Sequence, residues 1–409
     1  MAIVGAGPYA LSLAAHLRAA GVDHRVFGRP MAPWREGMPP GMLLKSHPWS
    51  SDICDPAGNY TLERYCAETR VDYHPSLWTL PLETFIDYGE RFQKRYAPDA
   101  SDKILIDLRT APGGFRATFD DGESVEARRV VLAVGVHPFR HVAPVLADLP
   151  PHILSHSGDH GPLDALDGRK VAVVGSGASA IDLATLLGER GAEVTMVARA
   201  GALRFLPAPT DGQTFAQRVV RPNSGIGSGW FLWTCANAPW LLHTLPAGLR
   251  RYIVENTLGP LGGPGMDARL RASARVVLGG DIRRAEISGR RARLRIRARD
   301  GAEQTLEVDR VVAATGYRID VDRLDFLAPD LRDSVRTVKG APLLSKTYET
   351  SAPGLYAIGP AAAASFGPVM RFVFGASHPA RVVASALAGR IAPHHAPRAG
   401  ESPVVASGG

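Results

Sequence analysis

The apolar residues of this chain follow two rhythms. Short, nearly solid runs, Ala2 to Val4, Val130 to Val134, Val171 to Val174, Arg310 to Ala314 and Leu355 to Ile358, have the pattern of strands buried on both faces. Each runs out at or just before a glycine: Gly5, Gly135, Gly175, Gly316 and Gly359. After Gly5 the spacing predicts a helix to about Ala20 and a strand at His24 to Phe27. After Gly175, Ile181, Ala184, Leu186 and Leu187 recur at helical spacing, Gly191 ends the helix, and a strand runs from Glu193 to Ala198. Further strands are expected at Phe115 to Phe119, Val276 to Leu278, Arg293 to Ala298 and Thr305 to Val308, and helices at Pro81 to Tyr96 and Ser377 to Leu387. Strand–helix–strand units of this kind predict an α/β fold with parallel sheets.

The two glycine turns share one spacing, Gly5, Gly7 and Ala10 in GAGPYA and Gly175, Gly177 and Ala180 in GSGASA. The first glycine allows a tight exit from the strand, the second leaves no Cβ between backbone and a pyrophosphate, and the alanine is small enough for close helix–strand contact. Ser176 and Ser179 can cap the second helix, whose free N–H groups and dipole would face phosphates. The ribose is read at the end of the following strand, where a carboxylate accepts from a free 2′-OH and a cation suits a 2′-phosphate. Arg199 stands there in the second unit and argues for NADP(H). In the first unit Gly28 and Arg29 occupy the position, so the turn offers amides but no carboxylate. An empty, purely structural unit is the alternative for the second.

Composition sets limits. The 409 residues suffice for two or three domains, 45% hydrophobic and 21% charged residues are ordinary for a globular protein, and no apolar run is long enough for an integral membrane segment. The opening MAIVGAG lacks a basic region and a following apolar stretch with a cleavage site, so a cytoplasmic protein is expected. The net charge of +7 comes largely from arginine, part of it in the run Arg290 to Arg299. That run alternates as a strand does and has no interleaved aromatics, so it reads as a solvated face with no nucleic acid as partner. Cys54, Cys66 and Cys235 are too few and scattered for a disulfide framework or a metal site, and no CxxC pair exists.

Two segments break the rhythm. Trp34 to Glu68, rich in Pro, Gly and aromatics, reads as irregular chain ordered by a ligand, with Lys45, Ser46 and His47 as polar groups among Trp34, Met42, Leu43, Leu44 and Trp49. These three contact a cofactor ring or substrate, or bond to loop backbone. Pro207 to Leu270 carries Trp230, Trp233 and Trp240 and reads as an inserted helical subdomain, its tryptophans in a core; a cap over a channel or a membrane-surface face is the other reading. The tail after Ile391 is expected to be disordered.

Two dinucleotide units, the ATGY of Ala314 to Tyr317 and the late strand LYAIG resemble the two-dinucleotide-binding-domain flavoproteins over nearly the whole chain. Together with LSHSGDH (Leu154 to His160), ATGY is similar to class B flavin-dependent monooxygenases, and GMLLKSHP and SFGPVMRF lean toward their ornithine and lysine N-hydroxylating members. The resemblance implies an FAD domain over 1–140 and 315–391 with an NADP domain over 141–314 inserted, itself carrying an insertion at about 207–270, and a tail at 392–409. It implies FAD held by Gly5, Gly7, Ala10, Arg29, Trp34, Met42, Gly135, Thr315, Gly316 and Gly359, with Lys45, Ser46 and His47 at the flavin face and Ser365, Gly367 and Met370 opposite. NADPH would be held by Gly175, Ser176, Gly177, Ser179, Ala180 and Arg199. The activity implied is insertion of one oxygen atom from O2 into a soft nucleophile, an amine or amino acid foremost, through a C4a-hydroperoxyflavin. Small-molecule substrate and O2 are the partners, and a homo-oligomer is left open. Two departures stand beside this: the Baeyer–Villiger fingerprint is met only at His156, Gly158 and His160, and Pro360 replaces the acidic residue after Gly359. An NAD(P)H oxidase releasing H2O2 and a non-catalytic binding homologue are the rival readings.

Overall fold

The computed structural model describes residues 1–75, 79–207, 214–259 and 261–389; the predicted tail at 392–409 lies outside them. The solid apolar runs become two parallel sheets. The first has the order Arg25–Phe27, Ala2–Val4, Val130–Leu132, Leu355–Ala357, with Ile3 aligned to Val26 on one side and Val131 on the other. The second has the order Ala274–Leu278, Glu193–Ala198, Lys170–Val174, Arg310–Ala313, Leu154–His156. Ile3, Val131, Val171 and Val173 are fully buried, as central parallel strands require. The chain leaves the first sheet after Leu132, builds the second, and returns at Leu355.

Helices cover the sheets. Pro8–Ala19 follows the first turn and packs on Ser377–Leu387 and Leu82–Tyr96, while Ala178–Glu189 follows the second turn and packs on Met266–Ser273. Each sheet also carries a three-stranded antiparallel lobe. Leu105–Ala111, Gly114–Phe119 and Ser124–Ala127 form the first, and Asp281–Ser288, Arg291–Arg297 and Glu303–Val308 the second. The arginine run is the central strand of the latter. Ala292, Leu294 and Ile296 point into the core, and Arg291, Arg293 and Arg295 pair with Asp309, Glu307 and Glu286 on the wet face.

Two expectations are corrected. Residues 34–68 are less irregular than the sequence implied: Ala32–Gly37 and Leu62–Thr69 are helices. The second is nucleated by local oxygens, since Thr61 accepts from the Arg64 amide at 3.2 Å and Asp52 from the Leu62 amide at 2.6 Å. The tryptophans of the insertion are not core. Its helices Trp230–Asn237, Pro239–Thr244 and Ala247–Asn256 bury Cys235, Ala236 and Leu242, leaving Trp230 58% and Trp240 56% exposed. Short helices with apolar residues all round cannot bury every face against one neighbour. Among the described residues no helix is long and apolar enough to cross a membrane.

Candidate functional site

At the first turn the chain leaves Val4 with Gly5 at φ 111°, and a Cβ there would overlap the Ala133 carbonyl of the adjacent strand. Only glycine fits. Gly7 is the N-cap of the following helix, Pro8 takes the first helical position, and no side chain caps the helix or places an acid in its first turn. A Cβ on Gly7 would meet nothing within 4 Å, so the amide end of this helix faces open space. That fits a pyrophosphate. The ribose side differs: Gly28, at φ 137°, presses on the turn, where a Cβ would lie 3.2 Å from the Ala6 nitrogen. Arg29 is exposed and bound to Glu36 at 2.8 Å.

The second turn repeats the geometry. Gly175 sits at φ 152° with its would-be Cβ on the Ala314 carbonyl, Gly177 is the N-cap, and Ala180 is fully buried against the sheet. Neither Ser176 nor Ser179 caps the helix, contrary to expectation. Because Gly177 rather than a serine occupies the cap position, the amides stay free for an anion. Beyond the ribose position the two turns part. Arg199 is exposed on the wall of an open cavity of about 540 Å³, lined also by Asp281, Arg283, Arg297 and Arg299 and by glycines 279 and 301.

Between the halves the chain crosses twice, and the crossings are zipped together. The His141 amide donates to the Gly316 carbonyl at 2.9 Å, the Arg318 amide to the Phe139 carbonyl at 2.8 Å, and the Thr315 hydroxyl to the His141 carbonyl. Arg140 and Tyr317 are bridge partners. His156 buttresses this ribbon: its Nδ1 accepts from the Gly158 amide at 3.0 Å, so its Nε2 carries the proton and donates to the Gly316 carbonyl at 3.1 Å. Burial holds the His156 pKa below its ordinary value, which favours this neutral tautomer. Arg140 binds Asp159 at 2.6 Å. Among the described residues, buried Arg140 Nε, His141 Nδ1 and Ser157 Oγ have no hydrogen-bond partner, and all three lie at this seam. Unpaired buried polar atoms there fit a polar group bound between the halves.

The loop after Gly41 joins the two halves by charge. Lys45 ion-pairs with Asp182 of the second turn's helix and donates to the Leu43 carbonyl at 3.2 Å, the two side chains being 15% and 6% exposed. Burial raises the Asp182 pKa and the Lys45 ammonium lowers it. Met42 lines the small crevice beside this pair. Ser46 bonds Ser51 at 2.8 Å, and His47 stacks on Trp49, which meets the edge of Phe374. Trp34 packs edge-on against Phe85, and Gly135, at φ 65°, faces open space. Ser365 is fully buried and accepts from the Leu344 amide at 3.2 Å, Met370 is buried against Tyr348, and Gly367 is left-handed beneath Leu242. Gly359 faces the ring of Tyr9, whose hydroxyl donates to the Phe372 carbonyl at 2.8 Å. Lys45, Ser46 and His47 thus share one loop tied to the other half through Asp182, while Ser365, Gly367 and Met370 lie in a packed segment against Leu344, Leu242 and Tyr348. Sequence reasoning missed Asp182, Arg140, Asp159 and Tyr9. Asp182 left a signal, being the sole charged residue within an apolar helical stretch.

Two parallel sheets, each opened by a glycine turn with an uncapped helix start and joined by a double crossing, define a two-dinucleotide-fold oxidoreductase. The chain belongs to the pyridine nucleotide-disulphide oxidoreductase family, whose model matches residues 1–227. It is 26% identical over 338 residues to the indole-3-pyruvate monooxygenase YUCCA1 of Oryza sativa subsp. japonica, covering 78% of this chain and 77% of the relative. Its fold matches an ornithine N-hydroxylase of Kutzneria sp. 744, solved with reduced FAD, NADP+ and L-ornithine, with a TM-score of 0.74 at 17% identity over 95% and 98% of the two chains. It also matches L-lysine 6-monooxygenase from Pseudomonas syringae, with a TM-score of 0.73 at 19% identity over 94% and 98%.

Proposed function

We propose that this chain is an NADPH- and FAD-dependent monooxygenase that oxygenates a soft nucleophile, an amine or amino acid nitrogen foremost. The observation that carries the reading is the pair of glycine turns, each pressed onto a neighbouring carbonyl and each ending in free helix amides. The fold likeness to ornithine and lysine N-hydroxylases supports nitrogen as the target. Disulfide reduction, the chemistry in the family's name, does not suit the three cysteines: all are free, no two form a CxxC pair, and burial raises the pKa of each, that of Cys235 to about 11.

When bound, NADPH supplies a hydride and FAD a ring that accepts it and activates O2. The chain's own residues bind and align. Gly5, Gly7 and Ala10 cradle the flavin nucleotide's pyrophosphate at the first helix start, and Gly175, Gly177 and Ala180 that of NADPH at the second. Arg199 holds the 2′-phosphate. The neutral imidazole of His156 fixes Gly316 and with it the seam, and Lys45 ties the loop bearing Ser46 and His47 to Asp182. His47, Trp49 and Phe374 form a partly exposed aromatic wall beside that loop.

The test is purification with an absorbance spectrum, then NADPH oxidation against amines, amino acids, sulfides and ketones. A yellow protein whose NADPH consumption rises with an amine and matches hydroxylamine formed is the expected result. A colourless preparation that takes up no FAD, or NADPH use balanced by H2O2 whatever the substrate, overturns it.

A further inference from the structure

The arginines of the second half are not evenly paired. Along the central strand of its antiparallel lobe, Arg291 meets Asp309 at 2.9 Å, Arg293 meets Glu307 at 2.8 Å and Arg295 meets Glu286 at 3.7 Å. Pairing stops at the end of the hairpin that faces Arg199. Among the described residues Arg199, Arg297 and Arg299 lie in no ion pair, and they share the cavity of about 540 Å³ with Arg283, which is bound to Asp281 at 3.3 Å. Four guanidiniums against one carboxylate mark a place for an anion.

Arg299 is also seated there by the backbone. Its stem lies on Gly279, where a Cβ would stand 3.0 Å from Arg299 Cγ, and its head lies over Gly201, where a Cβ would stand 2.6 Å from Nη1. Gly279 is left-handed at φ 68°, and its amide donates to the Ala200 carbonyl at 2.9 Å while that of Gly280 donates to Ala198 at 3.0 Å. These bonds fix the turn against the two neighbours of Arg199. Two glycines thus leave a groove filled by one long side chain, delivered to the ribose position from an element outside the strand–helix–strand unit.

We propose that Arg299, with Arg297 beside it, is a second cation for the 2′-phosphate of NADPH. The inference rests on the reading of the second turn as the NADPH site. A planar guanidinium donates in a fork to phosphate, and the cavity is of ligand size. Preference for the phosphorylated nucleotide is then shared between Arg199 and a hairpin that the nucleotide-binding motif does not contain.

Calorimetric titration of the whole protein with 2′,5′-ADP and with 5′-AMP tests this without turnover. The unchanged protein is expected to prefer 2′,5′-ADP by about a hundredfold, and Arg299→Ala to lower that preference about tenfold with 5′-AMP affinity held. Gly201→Ala, which keeps the charge but displaces a flexible head, should lower it part of the way. Arg293→Ala, on the same strand but paired with Glu307, should not change it. If Arg299→Ala keeps the full preference while Arg199→Ala loses it, or if Arg299→Ala weakens both ligands equally, the inference fails and the NADPH reading stands. If the unchanged protein binds both ligands alike, that reading falls too.

Discussion

The two glycine turns have nearly the same backbone and opposite surroundings. At Gly5 and Gly175 alike a side chain would strike a carbonyl, and both helices start uncapped. Beyond the next strand the first turn is closed by Gly28, packed 3.2 Å from the turn's own backbone, whereas the second opens at Arg199 into an arginine-lined cavity. One phosphate cradle can therefore serve two nucleotides with different grips. On the proposed reading the first would hold its nucleotide by backbone amides, and the second would add a charge that tells one nucleotide from another.

The largest test strikes the shared feature. Gly5→Ala should empty the first site and Gly175→Ala the second, each weakening its own nucleotide about tenfold to a hundredfold through backbone strain and overlap. FAD content after gel filtration and NADPH titration of the flavin spectrum read the two separately; loss of both nucleotides in either variant would erase the distinction. Next comes the tie between the halves. Asp182→Leu strands the buried Lys45 ammonium and should cost roughly 3–5 kcal/mol in urea unfolding, with most of it restored by Lys45→Met in the same chain.

A swap of the ribose positions sharpens the contrast. Arg199→Glu should reverse the choice between NADPH and NADH by about a hundredfold in Kd, since a phosphate contact is lost and a repulsion gained. Gly28→Asp should not tighten FAD, because φ 137° strains any side chain there, and its melting temperature should fall. The smallest effect concerns pH. Burial lowers the folded pKa of His156, so its contribution to stability is present above the unfolded value of about 6.5 and is lost as pH falls below it. Melting temperature should drop between about pH 7 and 5, and His156→Gln should flatten that slope.

Much of this architecture was legible in the sequence because strand burial and glycine turns are local. The strand Glu193–Ala198 and the turns at Gly5 and Gly175 need only neighbours in sequence to be recognised. The partners were not legible. Lys45 and Asp182 belong to different halves, and an ion pair between them leaves no periodic trace. Trp230 and Trp240 show the reverse failure, since apolar composition says that a face should be covered and nothing about whether the chain itself covers it. The arginine run was rightly read as a wet face, but the alternation that showed this cannot say where the pairing carboxylates end.

The doubled crossing at Phe139–His141 and Thr315–Arg318 has a mechanical consequence. A single linker lets two bodies swivel freely, while two strands bonded edge to edge bend like a strap and resist twisting. Twisting one half against the other about that strap would have to break these bonds and pull Lys45 from Asp182.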